Sequence, residues 1–116
     1  MDAALNPTEA AFALEPAVWI MVAIADRPRH GYAIMKEIRA VGGFSMRPGT
    51  LYAALARMDR AGLVEEIQTS NYRQRPFRLT AFGRSRLADD LHILASLVQL
   101  GQRRLKARKP KKGAQA

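Results

Sequence analysis

Side chains able to hold a phosphate or read a base edge gather in two short stretches of this 116-residue chain. The first holds Arg47, Gly49, Thr50, Tyr52 and Arg57; the second holds Asn71, Arg73, Gln74 and Arg75, with Tyr72 among them. DNA offers phosphates that fix position and base edges that specify sequence, and guanidinium, hydroxyl and amide groups answer both. Near the first stretch Gly49 lets a backbone come close, while Thr50 and Tyr52 offer hydroxyls to a phosphate or a thymine edge. A helix beginning there would add its own amide terminus, which favours an anion. Arg57 could read a guanine or simply face water, and Tyr52 could equally be a partly buried core ring at helical spacing from Leu55.

Catalytic chemistry finds no such gathering. His30 and His92 stand far apart with no paired carboxylate or glycine-rich phosphate loop near either. Asp89-Asp90 and Glu65-Glu66 are adjacent pairs whose side chains diverge on a helix or strand, the wrong geometry for shared acid and base work. The chain has no cysteine, which excludes disulfides, thiolate metal sites and cysteine nucleophiles together. An enzyme is therefore not expected, nor a metal or a cofactor.

Charge points to a polyanionic partner. Nineteen Lys and Arg against ten Asp and Glu give +9, with a pI near 10.9. Seven of the basic residues, Arg103, Arg104, Lys106, Arg108, Lys109, Lys111 and Lys112, form a run without an acid, so the remaining 12 bases and 10 acids leave only +2. That run is either a solvated helix end or a basic arm on phosphate. The apolar stretch from Ala17 to Ala25 is about half of a membrane span, and Met1 to Pro7 lacks the basic start of a secretory signal, so a cytoplasmic protein without a membrane partner is expected.

The elements that must position these residues follow from punctuation and period. Thr8 can cap a short helical turn through Phe12 and Leu14 before Pro16 resets the chain. From Pro16, Val18, Trp19, Val22 and Ala25 with Ile20, Met21 and Ile24 form a helix apolar nearly all round, hence central, ending before Pro28. Gly31 to Val41 carries Tyr32, Ile34, Met35 and Ile38 against Lys36, Glu37 and Arg39, a second helix stopped by Gly42 and Gly43, with His30 as its cap. A third opens at Pro48, runs through Leu51, Leu55 and Met58, and ends at Gly62. Helix, glycine-containing turn and helix is the arrangement whose second member can enter a DNA groove. Leu63 to Gln68 and Phe77 to Thr80 then read as a β-hairpin whose polar connection is either a wing on phosphate or an ordinary exposed turn.

From Thr80 a long helix is predicted to about Arg108. Leu87, Leu91, Leu94, Val98, Gly101 and Leu105 recur at spacings of four and three, and Ile93, Leu97 and Leu100 widen the apolar face. A helix of about 27 residues is roughly 40 Å long and outruns a body of this size. Its surplus apolar face is best covered by the same helix of a second copy, which makes Leu87, Leu91, Leu94, Val98 and Leu105 the expected dimerisation residues; folding back over its own core would account for the first two turns only.

Three linked motifs resemble the PadR family of bacterial transcriptional regulators. Arg29 to Ile38 (RHGYAIMKEI) is similar to its HGY-x-I segment, Pro48 to Met58 (PGTLYAALARM) to its PGTLY-x-x-L-x-R helix, and Gly62-Leu63-Val64 with Phe77 to Gly83 (FRLTAFG) to the strands flanking its wing. Arg47 stands where the family usually has serine and Ala53 where it usually has proline; Ser45 is left as the possible cap for the third helix, and Arg47 is free to reach a phosphate. The resemblance implies a mostly α fold with a small β-hairpin: a winged helix-turn-helix over residues 1–80, a single C-terminal dimerisation helix over 81–108 as in the family's shorter form, and a basic disordered tail over 109–116. It implies a homodimeric, sequence-specific DNA-binding regulator, expected to be a repressor on a palindromic operator with half-sites about 10 base pairs apart or a multiple of that. It also implies release by a small planar aromatic effector near the dimer helices, where Trp19, Phe12 and Phe82 are either its lining or plain core. The competing reading is a sequence-indifferent, architectural DNA-binding protein that depends on the basic run.

Overall fold

The computed structural model describes residues 15–69 and 74–107. Pro16 occupies the first turn of α1 (Pro16–Ala23), where its missing N–H costs nothing. As expected of a helix apolar on every side, α1 is central: Ile20, Met21 and Ala23 are buried, with Ile24 just beyond. Val22 is the exception and stays exposed. The Ala25 N–H reaches back to the Val22 carbonyl in a tighter last turn, and the chain leaves the helix well before Pro28.

The next element, the two-residue strand β1 (Arg29–His30), has no counterpart in the sequence reading, which expected only a hairpin. Two residues carry no periodicity, so nothing in the pattern could announce it. His30 then starts α2 (Gly31–Gly42) as its cap, accepting the Ala33 N–H on Nδ1 at 3.3 Å. Ile34 and Ile38 face the core. Gly43, at φ 73°, closes the helix in the left-handed region with its N–H on the Arg39 carbonyl.

Pro48 again sits in the first turn of α3 (Pro48–Arg60), which buries Leu51, Ala54, Leu55 and Met58 against α1 and α2. Ser45 does not cap this helix. Its hydroxyl is taken by the Arg39 guanidinium, and the capping position falls to Arg47, which makes no side-chain cap bond. Gly62, at φ 79°, turns the chain out of α3, and the Leu63 N–H closes on the Met58 carbonyl at 2.9 Å. Two strands follow, β2 (Val64–Glu66) and β3 (Pro76–Leu79), and the antiparallel sheet has the order β1-β3-β2. The register sets Val64 opposite Leu79, both buried, and Glu65 opposite Arg78, which meet in a 2.7 Å ion pair. Pro76 can lie in the central strand because it is the strand's first residue.

Thr80 caps the last helix, α4 (Ala81–Ala107): its hydroxyl oxygen accepts the Gly83 N–H at 2.9 Å and donates its proton to the Gly62 carbonyl. One side chain thus joins the end of α3 to the start of α4. Gly83 lies directly on the Leu63 backbone carbonyl, where any Cβ would collide. Beyond Leu87, which is 5% exposed and belongs to the chain's own core, no residue of α4 is buried. The helix stretches the molecule to 67 × 28 × 21 Å.

Candidate nucleic-acid interface

The start of α3, the start of α2 and the hairpin converge on one face. Between them lies an open cleft of about 510 Å³ whose walls include His30, Tyr32, Tyr52, Gln74, Arg75 and Phe77. Tyr52 is 49% exposed, and its ring stands against Gly31, where a Cβ would collide with the Tyr52 hydroxyl. The ring is thus neither core nor free: the missing side chain at Gly31 seats it upright at the cleft, half in solvent.

On the same face Arg47 is exposed at the head of α3 and Gly49 is exposed with nothing within 4 Å of where its Cβ would be, so another backbone can approach. Thr50 is half-buried, and Arg57 is exposed two turns along the helix. Arg75, across the cleft, is half exposed and lies 3.4 Å from Glu66, so part of its charge is answered locally. Asn71 and Arg73, the other two expected wing contacts, lie outside the described residues, as do Phe12, the helical turn expected after Thr8, and the tail from residue 108.

Sequence reasoning gave His30 only a capping role and set Tyr32 on the apolar side of the second helix, opposite Lys36; Tyr32 is instead 64% exposed and shares a face with Lys36. Because Nδ1 of His30 accepts the Ala33 N–H, the ring proton sits on Nε2. The imidazole lies parallel to the Tyr32 ring (centroids 6.5 Å apart, 10° between planes), and the Lys36 ammonium stands 5.7 Å from the centre of that ring. The His30 and Tyr32 rings therefore line the cleft beside the head of α3, with the Lys36 cation behind them on Tyr32. The nearness of His30, Tyr32 and Lys36 is local to the start of α2; pairing of β1 with β3, which sets His30 opposite Pro76, is what brings them to the hairpin and was not visible in the sequence.

The face as a whole offers guanidinium, hydroxyl, amide and ring N–H donors beside the helix start, together with the Glu66 carboxylate that Arg75 holds at 3.4 Å. Among the described residues there is no group of three or more metal-ligating side chains, and no helix long and apolar enough to cross a membrane.

A helix-turn-helix braced by a three-stranded sheet, with the second helix presenting its N-terminal turn beside the hairpin, defines a winged-helix DNA-binding protein. The sequence model of the transcriptional regulator PadR-like family matches residues 20–89, and the chain belongs to that family. Its members regulate transcription by binding DNA, and this chain is such a regulator and not an enzyme. Similar solved structures include a transcriptional regulator from Clostridium thermocellum (TM-score 0.73, 17% identity, covering 87% of this chain and 99% of that one). A PadR family transcription regulator from Clostridium difficile is similar at TM-score 0.69 and 24% identity, over 78% of this chain and 97% of its own. At these identities the likeness is one of fold. RosR of H. salinarum is similar at TM-score 0.64 and 28% identity, over 72% of this chain and 74% of its own. An uncharacterized 37.1 kDa protein in transposon TN4556 of Streptomyces fradiae is 45% identical over 78 residues; that stretch is 67% of this chain but 22% of the relative, so the chain spans about a fifth of its length.

Proposed function

We propose that this chain is a sequence-specific repressor that binds a palindromic operator as a homodimer. The observation that carries the reading is the head of α3: Arg47, Gly49, Thr50 and Tyr52 stand on one exposed turn, with Arg75 and the hairpin beside them. A helix start of this kind enters the major groove, with the hydroxyls and Arg57 toward base edges and Arg47, Asn71, Arg73 and Arg75 toward phosphates. Residues 1–80 form the DNA-binding unit and 81–108 the dimerisation helix, with 109–116 a basic tail. A dimer has two such heads, so its site is palindromic, with half-sites about 10 base pairs or a multiple apart. Repression is the simplest consequence, because occupying the operator is enough to block access to it.

Release by a small planar ligand belongs to the same reading, but not on the residues first considered. Trp19 packs edge-on against Phe44 at 5.2 Å, while Phe82 is exposed beside Gly62, and no described cavity is lined by both. The supporting feature is instead a cleft of about 530 Å³ between α1 and α4, floored by Ala17, Val18, Met21 and Leu94. It is the right size and polarity for such a ligand.

Selection from a random duplex pool at about 150 mM salt tests the proposal, repeated with Tyr52→Ala and with the chain cut after Leu105. One enriched palindrome, weakened more by Tyr52→Ala than by the cut, is the expected result. The second reading, a sequence-indifferent binder, draws on the exposed Arg103, Arg104 and Lys106 at the end of α4. It predicts no enriched sequence and binding abolished by the cut.

A further inference from the structure

The adjacent acids of β2 point to opposite faces of the sheet, and each holds an arginine of the hairpin. Glu65 meets Arg78, its direct partner in the register, at 2.7 Å on the outer face, half in solvent. Glu66 shares the inner face with the buried Val64 and lies opposite Phe77; its carboxylate reaches diagonally to Arg75, just before β3, at 3.4 Å. The Glu65 pair braces the hairpin and needs no other explanation. The Glu66 pair stands in the wall of the cleft, beside Tyr52 and the head of α3.

A carboxylate is out of place on that face. It repels the phosphates that the surrounding guanidinium, hydroxyl and ring N–H groups attract, and a half-exposed ion pair adds too little to folding to offset this. What Glu66 changes is Arg75. A guanidinium carries several N–H donors at the end of a long flexible stem, and the contact with Glu66 engages one end of it, Nη1. An arginine tethered in this way differs from a loose one twice over. Its charge is answered locally, so an arbitrary duplex gains little from it. Its direction is set before DNA arrives, so a duplex that fits loses less freedom in ordering it.

We propose that Glu66 is a positioning residue for Arg75 and sets much of the discrimination between operator and arbitrary DNA; this rests on the sequence-specific reading above and assigns part of that specificity to a group that acts through another. When α3 is seated in its groove, the phosphate beside the cleft arrives where the held guanidinium already points. When the protein lies out of register on an arbitrary sequence, the nearest phosphate meets an arginine whose charge is largely cancelled, with the Glu66 carboxylate behind it. Phosphate contacts fix register without reading bases. A phosphate contact that is available in one register only therefore turns positioning into selectivity. Glu65 and Arg78, on the outer face, have no such part.

Glu66→Gln keeps the shape of the side chain and removes its charge. Equilibrium binding at about 150 mM salt is measured on two duplexes of equal length, the operator selected as above and a scrambled version of it. The expected changes have opposite signs. Binding to the scrambled duplex strengthens about threefold, since a loosened Arg75 takes whatever phosphate is near, while binding to the operator weakens about twofold. Neither a loss of folded protein nor a uniform change of charge moves the two in opposite directions. On the scrambled duplex the slope of log affinity against log salt should steepen by about 0.9, the signature of one added phosphate contact. Glu65→Gln removes the same charge from the outer face and should leave the ratio of the two affinities unchanged. Arg75→Ala should weaken the operator complex, and adding Glu66→Gln to it should alter the ratio no further. A parallel gain on both duplexes with Glu66→Gln, or the same gain once Arg75 is already alanine, would mean that Glu66 acts by its own charge alone and would overturn the proposal. An equal response to Glu65→Gln would overturn it as well. An unaltered chain that binds the selected and scrambled duplexes alike would sink the sequence-specific reading and this proposal with it, whereas a preference that survives Glu66→Gln intact would sink this proposal alone.

Discussion

Residues 16–87 and residues 91–107 follow opposite rules. In the winged body each amphipathic element turns its apolar side inward, and Ile20, Ile34, Ile38, Leu51 and Val64 are almost wholly sealed from water. Along the far part of α4 the side chains are just as apolar, yet Leu91, Ile93, Leu97, Val98 and Leu105 remain exposed, Leu105 to 80%. Helical stability in water comes largely from burying such a face, and among the described residues only Leu94 and Leu100 of this apolar set are even partly covered. The body closes on its own core, and the helix beyond it does not; on the proposed function a second copy completes it. Stability should accordingly be a property of the single chain in the first region and of protein concentration in the second.

The largest effects should fall in the body. Ile34→Ala empties a fully buried site and is expected to lower unfolding stability by about 3 kcal/mol, with a melting midpoint that falls equally at every protein concentration. Close behind comes Gly83→Ala. Its Cβ must displace the Leu63 backbone carbonyl and not merely a side-chain tip, so about 2 kcal/mol should be lost. Leu97→Asp breaks the comparison from the other side. It should leave the body's fold intact by circular dichroism while the chain sediments as a monomer, and a large loss of structure at low concentration would mean that the body is not self-sufficient.

How much of this was legible in the sequence depended on how each feature is encoded. The helices were readable because Pro16, Pro48, Gly43 and Gly62 punctuate them and because Leu51, Leu55 and Met58 keep a helical period. Thr80 was readable as a cap for the same reason. Strand β1 was not, being too short to show a period. Ser45 was a reasonable cap by type, but a long arginine from the neighbouring helix reached its hydroxyl first, and that competition is tertiary. The heptad grouped Leu87 with Leu91 through Leu105, since period alone cannot tell a residue that meets its own core from one that meets another chain. The candidate interface divides likewise: Arg47, Tyr52 and Arg75 could be picked by type, whereas the meeting of the start of α2 with the hairpin is tertiary, made where β1 pairs with β3.

Smaller effects test the seam where the two regions join. Thr80 holds the Gly62 carbonyl and the Gly83 N–H with one hydroxyl, so it ties α3 and the hairpin to the first turn of α4. Thr80→Val keeps the shape of the side chain and removes both bonds. Loss of a cap of this kind costs about 1 kcal/mol, a modest change that a denaturant titration resolves at any protein concentration. The cross-strand pair of Glu65 and Arg78, half in solvent and screened, should matter less: Arg78→Met is expected to cost at most about 0.5 kcal/mol. The ordering of the two is informative. A rigid seam transmits the angle of α4 to the head of α3, whereas the ion pair only braces the hairpin. Thr80→Val should therefore weaken operator binding by more than its stability cost predicts, and Arg78→Met should not. Equal losses of operator affinity in both variants, measured where each is fully folded, would show that the recognition helix takes its orientation from the body alone and that α4 contributes only the second copy.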